Sequence, residues 1–391
     1  MKIVAMEVIP VAFPDPPLRN SWGVHEPWAL RNLIRLEADD GTIGWGEAAG
    51  GERLARRLAA AREIVLGADP FHRQALRRRI PDPRVFSGIE VALLDLVGRH
   101  LGISVSELLG GRLRDRIEFA AYLFYHFDCP QYGECLTPRA MLEQAKRLVA
   151  EHGFRALKLK GGVLPPDEEI ETIRLMRAHF GPEFRLRHDP NAIWSVPTAI
   201  RVTRELAGEL EYMEDPTHGR EGMAEVRRQV DVPLSTNMCV TAFEHFPEAI
   251  RLGSVDVVLA DHHYWGGLQA TQEMAKVCET FGLGVSMHSN SHLGISLAAM
   301  VHAAAITPHL TYACDTHYVW LEEDLLVGGK WRFEQGRLSV PTAPGLGIEV
   351  DEAIVARMNA DYERCGIRER DDAGYMRRVY DPTWEPLRPR W

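Results

Sequence analysis

Residues 154–162 read FRALKLKGG, a short run in which Leu157 and Leu159 alternate with Lys158 and Lys160 before two glycines. Such alternation belongs to a β-strand, so the two lysines share one face. Just before it, Arg139–His152 places Met141, Leu142, Ala145, Leu148 and Val149 on one helical face, and Gly153 supplies a stop. The unit recurs along the chain. Short apolar strands are predicted at Ile117–Phe124, Phe154–Lys160, Phe184–Asp189, Leu210–Glu214, Pro233–Asn237, Val255–Asp261, Gly284–His288 and Thr311–Asp315. Amphipathic helices such as Gly267–Phe281 separate them. Strands alternating with helices imply βαβ units and a parallel sheet. Eight strands in about 200 residues fit a small α/β barrel better than an open sheet.

Outward from this barrel, residues 1–116 read as an α+β unit. Lys2–Val8, Arg31–Glu37 and Thr42–Glu47 are strand-like, the last two joined at the turn Asp39-Asp40-Gly41. Glu52–Leu66 and Phe86–Leu101 are apolar at helical spacing. Pro14–Trp28, rich in Pro, Gly and aromatics, is too long for a tight turn and reads as a lid or mobile loop. The barrel is expected over 117–340. After PTAPGLGIEV at 341–350, residues 341–391 are expected to pack back on the first unit.

Composition excludes several function classes. The 391 residues carry a net charge of −10 and no long basic run, a poor basis for binding nucleic acid. The opening MKIVAMEVIP alternates like a strand and lacks a signal peptide's apolar core. The most apolar stretch, Ser296–Thr307, is too short to span a bilayer and is interrupted by His302. Six cysteines at 129, 135, 239, 278, 314 and 365 show no CxxC or zinc-like spacing. A cytoplasmic enzyme with reduced thiols and a small-molecule substrate is expected, away from membranes, with a homo-oligomer as the general expectation.

The polar residues that close the strands carry the chemistry. Lys160, Asp189, Glu214, Asn237, Asp261, His288 and Asp315 follow at intervals of 29, 25, 23, 24, 27 and 27, one β/α unit each. Barrel active sites lie at the C-terminal ends of strands, so residues in this phase converge on one pocket. Asp189, Glu214 and Asn237 offer three oxygen donors and two negative charges, a set suited to Mg²⁺. Alone, each reads equally well as a helix cap or surface residue. Lys158 and Lys160 are expected to repel each other, which with partial burial lowers a lysine towards a general base. A carboxylate at Asp261 is expected to hold one nitrogen of His288 and raise the basicity of the other. Asn290, in HSNSH at 288–292, could pin that ring or a substrate oxygen. A metal flanked by two bases suits proton abstraction next to a carboxylate, through an enediolate. Returning the proton on the other face gives racemisation; protonating a β-hydroxyl gives dehydration.

These residues lie in LKLKGG at 157–162, HDPNAIWS at 188–195, EDP at 214–216, STNM at 235–238, ADHHYW at 260–265, SMHSNSH at 286–292 and CDTHYVW at 314–320. With GWGE at 44–47, GIEVALLDLVGRHLG at 88–102 and RDDAGYM at 370–376, the set resembles the enolase superfamily, and within it the glucarate dehydratase subgroup. The resemblance covers nearly the whole chain, and its most diagnostic residue is Asn237, where most relatives place an acid. It implies a modified (β/α)7β barrel with an N-terminal α+β capping domain completed by the C-terminal segment. It also implies Mg²⁺ on Asp189, Glu214 and Asn237, with Lys160 as one acid/base and His288, paired with Asp261, as the other. Lys158 would stabilise the substrate carboxylate, and Asn191 would sit beside the metal. The rest of an acid sugar would meet Asn20, His25, Ser87, Tyr122, His317 and Arg370, with Asp315 and Asn290 as supports. Two departures stand out: the segment after YLF at 122–124 is shorter than in the subgroup, and HHY at 262–264 replaces Pro-His-Phe. A racemase or epimerase with the same bases, a Schiff-base aldolase on Lys160 and a catalytically silent metal-binding protein are the rival readings.

Overall fold

Eight parallel strands form the centre of the molecule, and the computed structural model describes all of residues 1–391. In space they run 284–287, 257–260, 234–236, 212–214, 185–189, 156–160, 116–124 and 314–316. Sequence neighbours are therefore mostly spatial neighbours, as short right-handed βαβ connections require. The sheet nearly closes on itself, and Ser286 Oγ donates to Ala313 O at 2.7 Å across the remaining seam. Arg337–Ser339 adds an antiparallel strand to Arg116–Phe124.

Register between the strands decides which side chains meet. Lys158 pairs with Arg187 and Lys160 with Asp189 on one side, while Tyr122 and Phe124 face the same two lysines on the other. Ser195 and Thr137 cap helices through their side chains, and Gly153 ends a helix in the left-handed conformation. These local signals match the expected boundaries within a few residues.

The N-terminal sheet orders Ile3–Pro14, Trp28–Ala38 and Ile43–Ala49 antiparallel. Ile3–Pro14 runs six residues beyond the expected Val8, because it lies at the sheet edge, where Pro10 and Pro14 cost no ladder bond. The expected helix Glu52–Leu66 is broken at Ala61 into Glu52–Ala60 and Arg62–Val65. Within the lid, Arg19–Asn20 and Gly23–Val24 form a small hairpin. The C-terminal helix Glu352–Cys365 packs on Ile3–Pro14, with Asn359 Nδ2 donating to Pro10 O at 2.7 Å. Gly294–Ile306 is buried throughout, and His302 spends its ring nitrogens on Leu346 O and the Ser106 amide. No helix is long and apolar enough to cross a membrane. The six cysteines are unpaired, five of them buried.

One buried acid couples the N-terminal unit to the barrel. Glu90, on the helix Pro83–Leu101, accepts the amides of Leu268 at 2.5 Å and Gln269 at 3.3 Å, capping Leu268–Thr280. Burial pushes its carboxyl up to about 7, and the amide bonds offset this only in part. Between roughly pH 4.5 and 7 the folded chain holds a proton that the unfolded chain releases, so this group's contribution to stability falls as pH rises. Glu90→Gln is therefore expected to gain about 2 to 3 kcal/mol relative to the parent between pH 5 and pH 8, read from unfolding midpoints at both values.

Candidate active site

Lys158 lies at the floor of the barrel mouth and is fully buried. Its Nζ meets Glu214 Oε2 at 2.5 Å and Asp315 Oδ2 at 2.6 Å. Burial opposes its charge, yet Asp315 and Glu214 outweigh it and hold the amine well above its usual range. The expectation that the two lysines lower each other towards a general base is thus reversed for Lys158. Two acids in hydrogen-bond contact outweigh one ammonium a residue pair away. Asp315 also takes Arg187 Nη1 at 2.7 Å and Tyr212 OH at 3.2 Å, so it anchors a buried ion cluster.

Lys160 contacts Asp189, and the face of Tyr122 covers both lysines at 4.7 and 5.2 Å from the ring centroid. Asp189 is held below the usual carboxylate range because Lys160 and Lys158 overcome its burial. For Glu214 the balance is opposite: burial and the Asp189 charge push its carboxyl well up. Glu214 Oε1 is buried without a hydrogen-bond partner. Two adjacent carboxylates, one with an orphaned oxygen, form the kind of donor set a divalent cation satisfies. Asn237 follows the next strand, half-buried. Its backbone N–H donates to Asp215 Oδ2 at 2.9 Å, and Thr236 Oγ1 donates to Asp215 Oδ1 at 2.5 Å. Asp215, which the sequence shows only as the middle residue of EDP at 214–216, braces the Asn237 turn.

His288 Nδ1 lies 3.2 Å from Asp261 Oδ2. Burial lowers the imidazole, against the pull of Asp261. Asp261 is shared: its Oδ1 also meets His263 Nδ1 at 2.8 Å. Asn290 donates to Tyr264 OH at 2.9 Å, an arrangement that the motif HSNSH does not disclose.

A cavity of about 420 Å³ opens above these groups. Of the expected residues, Asn20, His25, Tyr122, Lys160, Asn191, His288, Asn290, His317 and Arg370 line it. Ser87 does not. It is buried inside Pro83–Leu101 with its hydroxyl on Arg84 O at 3.2 Å.

The lid closes through a residue the sequence reading missed. Asp372 accepts Asn20 Nδ2 at 2.8 Å and takes Arg370 at 2.7 and 2.6 Å. Gly23 permits this contact, since a Cβ there would lie 2.3 Å from Asp372 O. Asp15, also missed, holds His25 Nδ1 at 2.9 Å, and His25 stacks on His317 with centroids 5.7 Å apart. Burial pushes His317 down to about 3, so its ring is neutral. Trp22 and Phe124 complete the apolar part of the wall. Below the lysine strand, Glu169 accepts the amides of Gly162, Val163 and Leu164 and meets His188 Nε2 at 2.9 Å, fixing the loop after Lys160.

Residues 140–354 match the family model described as Enolase C-terminal domain-like. A Streptomyces coelicolor protein named "Probable glucarate dehydratase" is 43% identical over 430 aligned positions, covering 100% of this chain and 99% of that protein. A Mycobacterium smegmatis enolase complexed with tartrate superposes with a TM-score of 0.97 at 49% identity, over 100% of this chain and 98% of that one. A Pseudomonas fluorescens enolase with bound magnesium, potassium and tartrate gives a TM-score of 0.97 at 44% identity, over 100% and 99%.

Proposed function

This chain belongs to the enolase superfamily, and from that membership and the geometry of its cavity we propose that it dehydrates an acid sugar, a hexarate such as glucarate or a stereoisomer, with Mg²⁺ as cofactor. In this reading residues 1–116 cap a catalytic barrel at 117–340, and 341–391 complete the cap. One observation carries the proposal: Lys160 and the Asp261-backed His288 both open onto one cavity, whose wall also holds Arg370.

Asp189, Glu214 and Asn237 are the residues that hold the cation, and the orphaned Glu214 Oε1 is the feature that fits it. When bound, Mg²⁺ supplies charge neutralisation for an enediolate. The remaining work belongs to the chain. Arg370, His25, His317 and Asn20 receive the far carboxylate and hydroxyls, and Asp372 and Asp15 orient them. One of the two bases removes the proton next to the near carboxylate, according to which face carries it. His288 protonates the β-hydroxyl, which leaves as water, and the resulting enol tautomerises to a keto-deoxy acid.

The same two bases would also serve a racemase or epimerase, and the products separate the readings. Mono- and diacid sugars are to be screened with Mg²⁺ and keto acid detected with semicarbazide. A hexarate-type diacid is expected to give keto product that disappears in EDTA and returns with Mg²⁺. Solvent deuterium uptake with no keto product from any diacid would replace dehydration by epimerisation. Turnover indifferent to EDTA would remove the metal.

A further inference from the structure

A line of buried contacts leads from the capping sheet to His288. Glu47, fully buried on Ile43–Ala49, accepts Arg31 Nε at 2.6 Å and the amides of Leu293 and Ser296 at 2.9 Å each. Those amides open the helix Gly294–Ile306, six residues after His288. Arg31 Nη2 lies 2.8 Å from His263 Nε2, and His263 Nδ1 lies 2.8 Å from Asp261 Oδ1. The backbone amide of His263 donates to the same Oδ1 at 3.0 Å, which leaves Oδ2 to His288.

Arg31 fixes the donor and acceptor roles along this line. A guanidinium only donates, so His263 Nε2 must accept. The ring is then the neutral tautomer with its proton on Nδ1, and that proton points at Asp261. Two donors on Oδ1 draw charge from Oδ2 and soften its pull on the His288 imidazole.

We propose that His263, locked by Arg31 and Glu47, is a positioning residue that sets the orientation and basicity of His288, so that the capping sheet governs a proton transfer in the barrel. The role of His288 rests on the dehydratase reading; the lock on His263 does not. Lys158, Lys160, Tyr122 and Tyr264 face the Asp261–His288 pair. Around His263 stand Arg31, Ser296, His292 and His262, whose ring centroid is 4.0 Å away. Burial holds both His262 and His292 well below the usual imidazole range, so they stay neutral.

His263→Phe keeps most of the ring volume and deletes the Nδ1 donor. Charge on Asp261 then concentrates, and His288 holds its proton to higher pH. The limb of the pH–kcat profile assigned to His288 is expected to rise by about half to one unit, with Mg²⁺ affinity by calorimetry unchanged. A lower kcat with an unmoved limb would reduce His263 to packing and overturn the proposal. Histidine ¹⁵N NMR reads the lock without turnover. In the parent protein His263 is expected to carry its proton on Nδ1 with Nε2 unprotonated, and in Arg31→Gln that tautomer preference is expected to be lost. A protonated Nε2 in the parent overturns the proposal whatever the substrate. A locked His263 in a protein that yields no keto product from any acid sugar fails the dehydratase reading alone.

Discussion

Lys160→Ala and His288→Asn are each expected to lower keto-acid formation by about 10²- to 10⁴-fold, the usual worth of a positioned acid or base. Both side chains line the cavity, and neither is a main packing element of the core. Substrate affinity should change far less, because Arg370, His25 and His317 in the same wall are left in place. The two variants also separate the roles. In His288→Asn, Lys160 can still exchange a proton that faces it with solvent deuterium, while the hydroxyl loses its acid and keto product disappears. In Lys160→Ala that exchange is the activity lost. Acting on one reaction, the pair should be non-additive, and the double variant should cost little more than the worse single one. Unchanged turnover in both single variants would end the two-base mechanism.

Glu214→Gln is expected to weaken Mg²⁺ binding by at least about a hundredfold and to remove turnover with it. The change replaces a carboxylate whose Oε1 has no partner in the protein, and it removes one of the two charges that face each other beside Lys160. Lys158 keeps Asp315 at 2.6 Å, so the floor of the site stays paired. Mg²⁺ should therefore raise the melting temperature of the parent and leave that of the variant unmoved, since a ligand stabilises only the state that binds it. Titration calorimetry showing equal affinity in both proteins would exclude Glu214 as a ligand.

Much of the barrel was legible because its signal is local. A β/α unit has its own hydrophobic rhythm, and the chain repeats it with polar residues at the strand ends, from Lys160 to Asp315. Asp189, Glu214, Asp261 and His288 could be nominated from phase alone. The lid residues could not. Asn20 meets Asp372 across 352 positions of sequence, and Asp15 approaches Ser291 across 276. Only the resemblance pointed to Asn20, His25 and Arg370; nothing in the composition of their loops did. Ser87, named by the same resemblance, lies buried in its helix with its hydroxyl on Arg84 O. Glu47 did carry a signal, the one charge in Ile43–Ala49, whereas Arg31 shares its strand with Arg35 and Glu37; the meaning of both depended on His263, 232 residues from Arg31.

By itself, then, the sequence determined the alternation of strands and helices, the barrel it builds and the strand ends on which chemistry can sit. These follow from periodicity and chain connectivity, which act between residues close in sequence. Tertiary structure alone decided how the charges pair. Lys158 and Lys160 look alike in FRALKLKGG, yet Lys158 is bound between Glu214 and Asp315, while Lys160 sits beside Asp189 and opens to the cavity. Coulomb and hydrogen-bond energies change over a single ångström, and the strands that set those distances are brought beside the lysine strand only when the barrel forms.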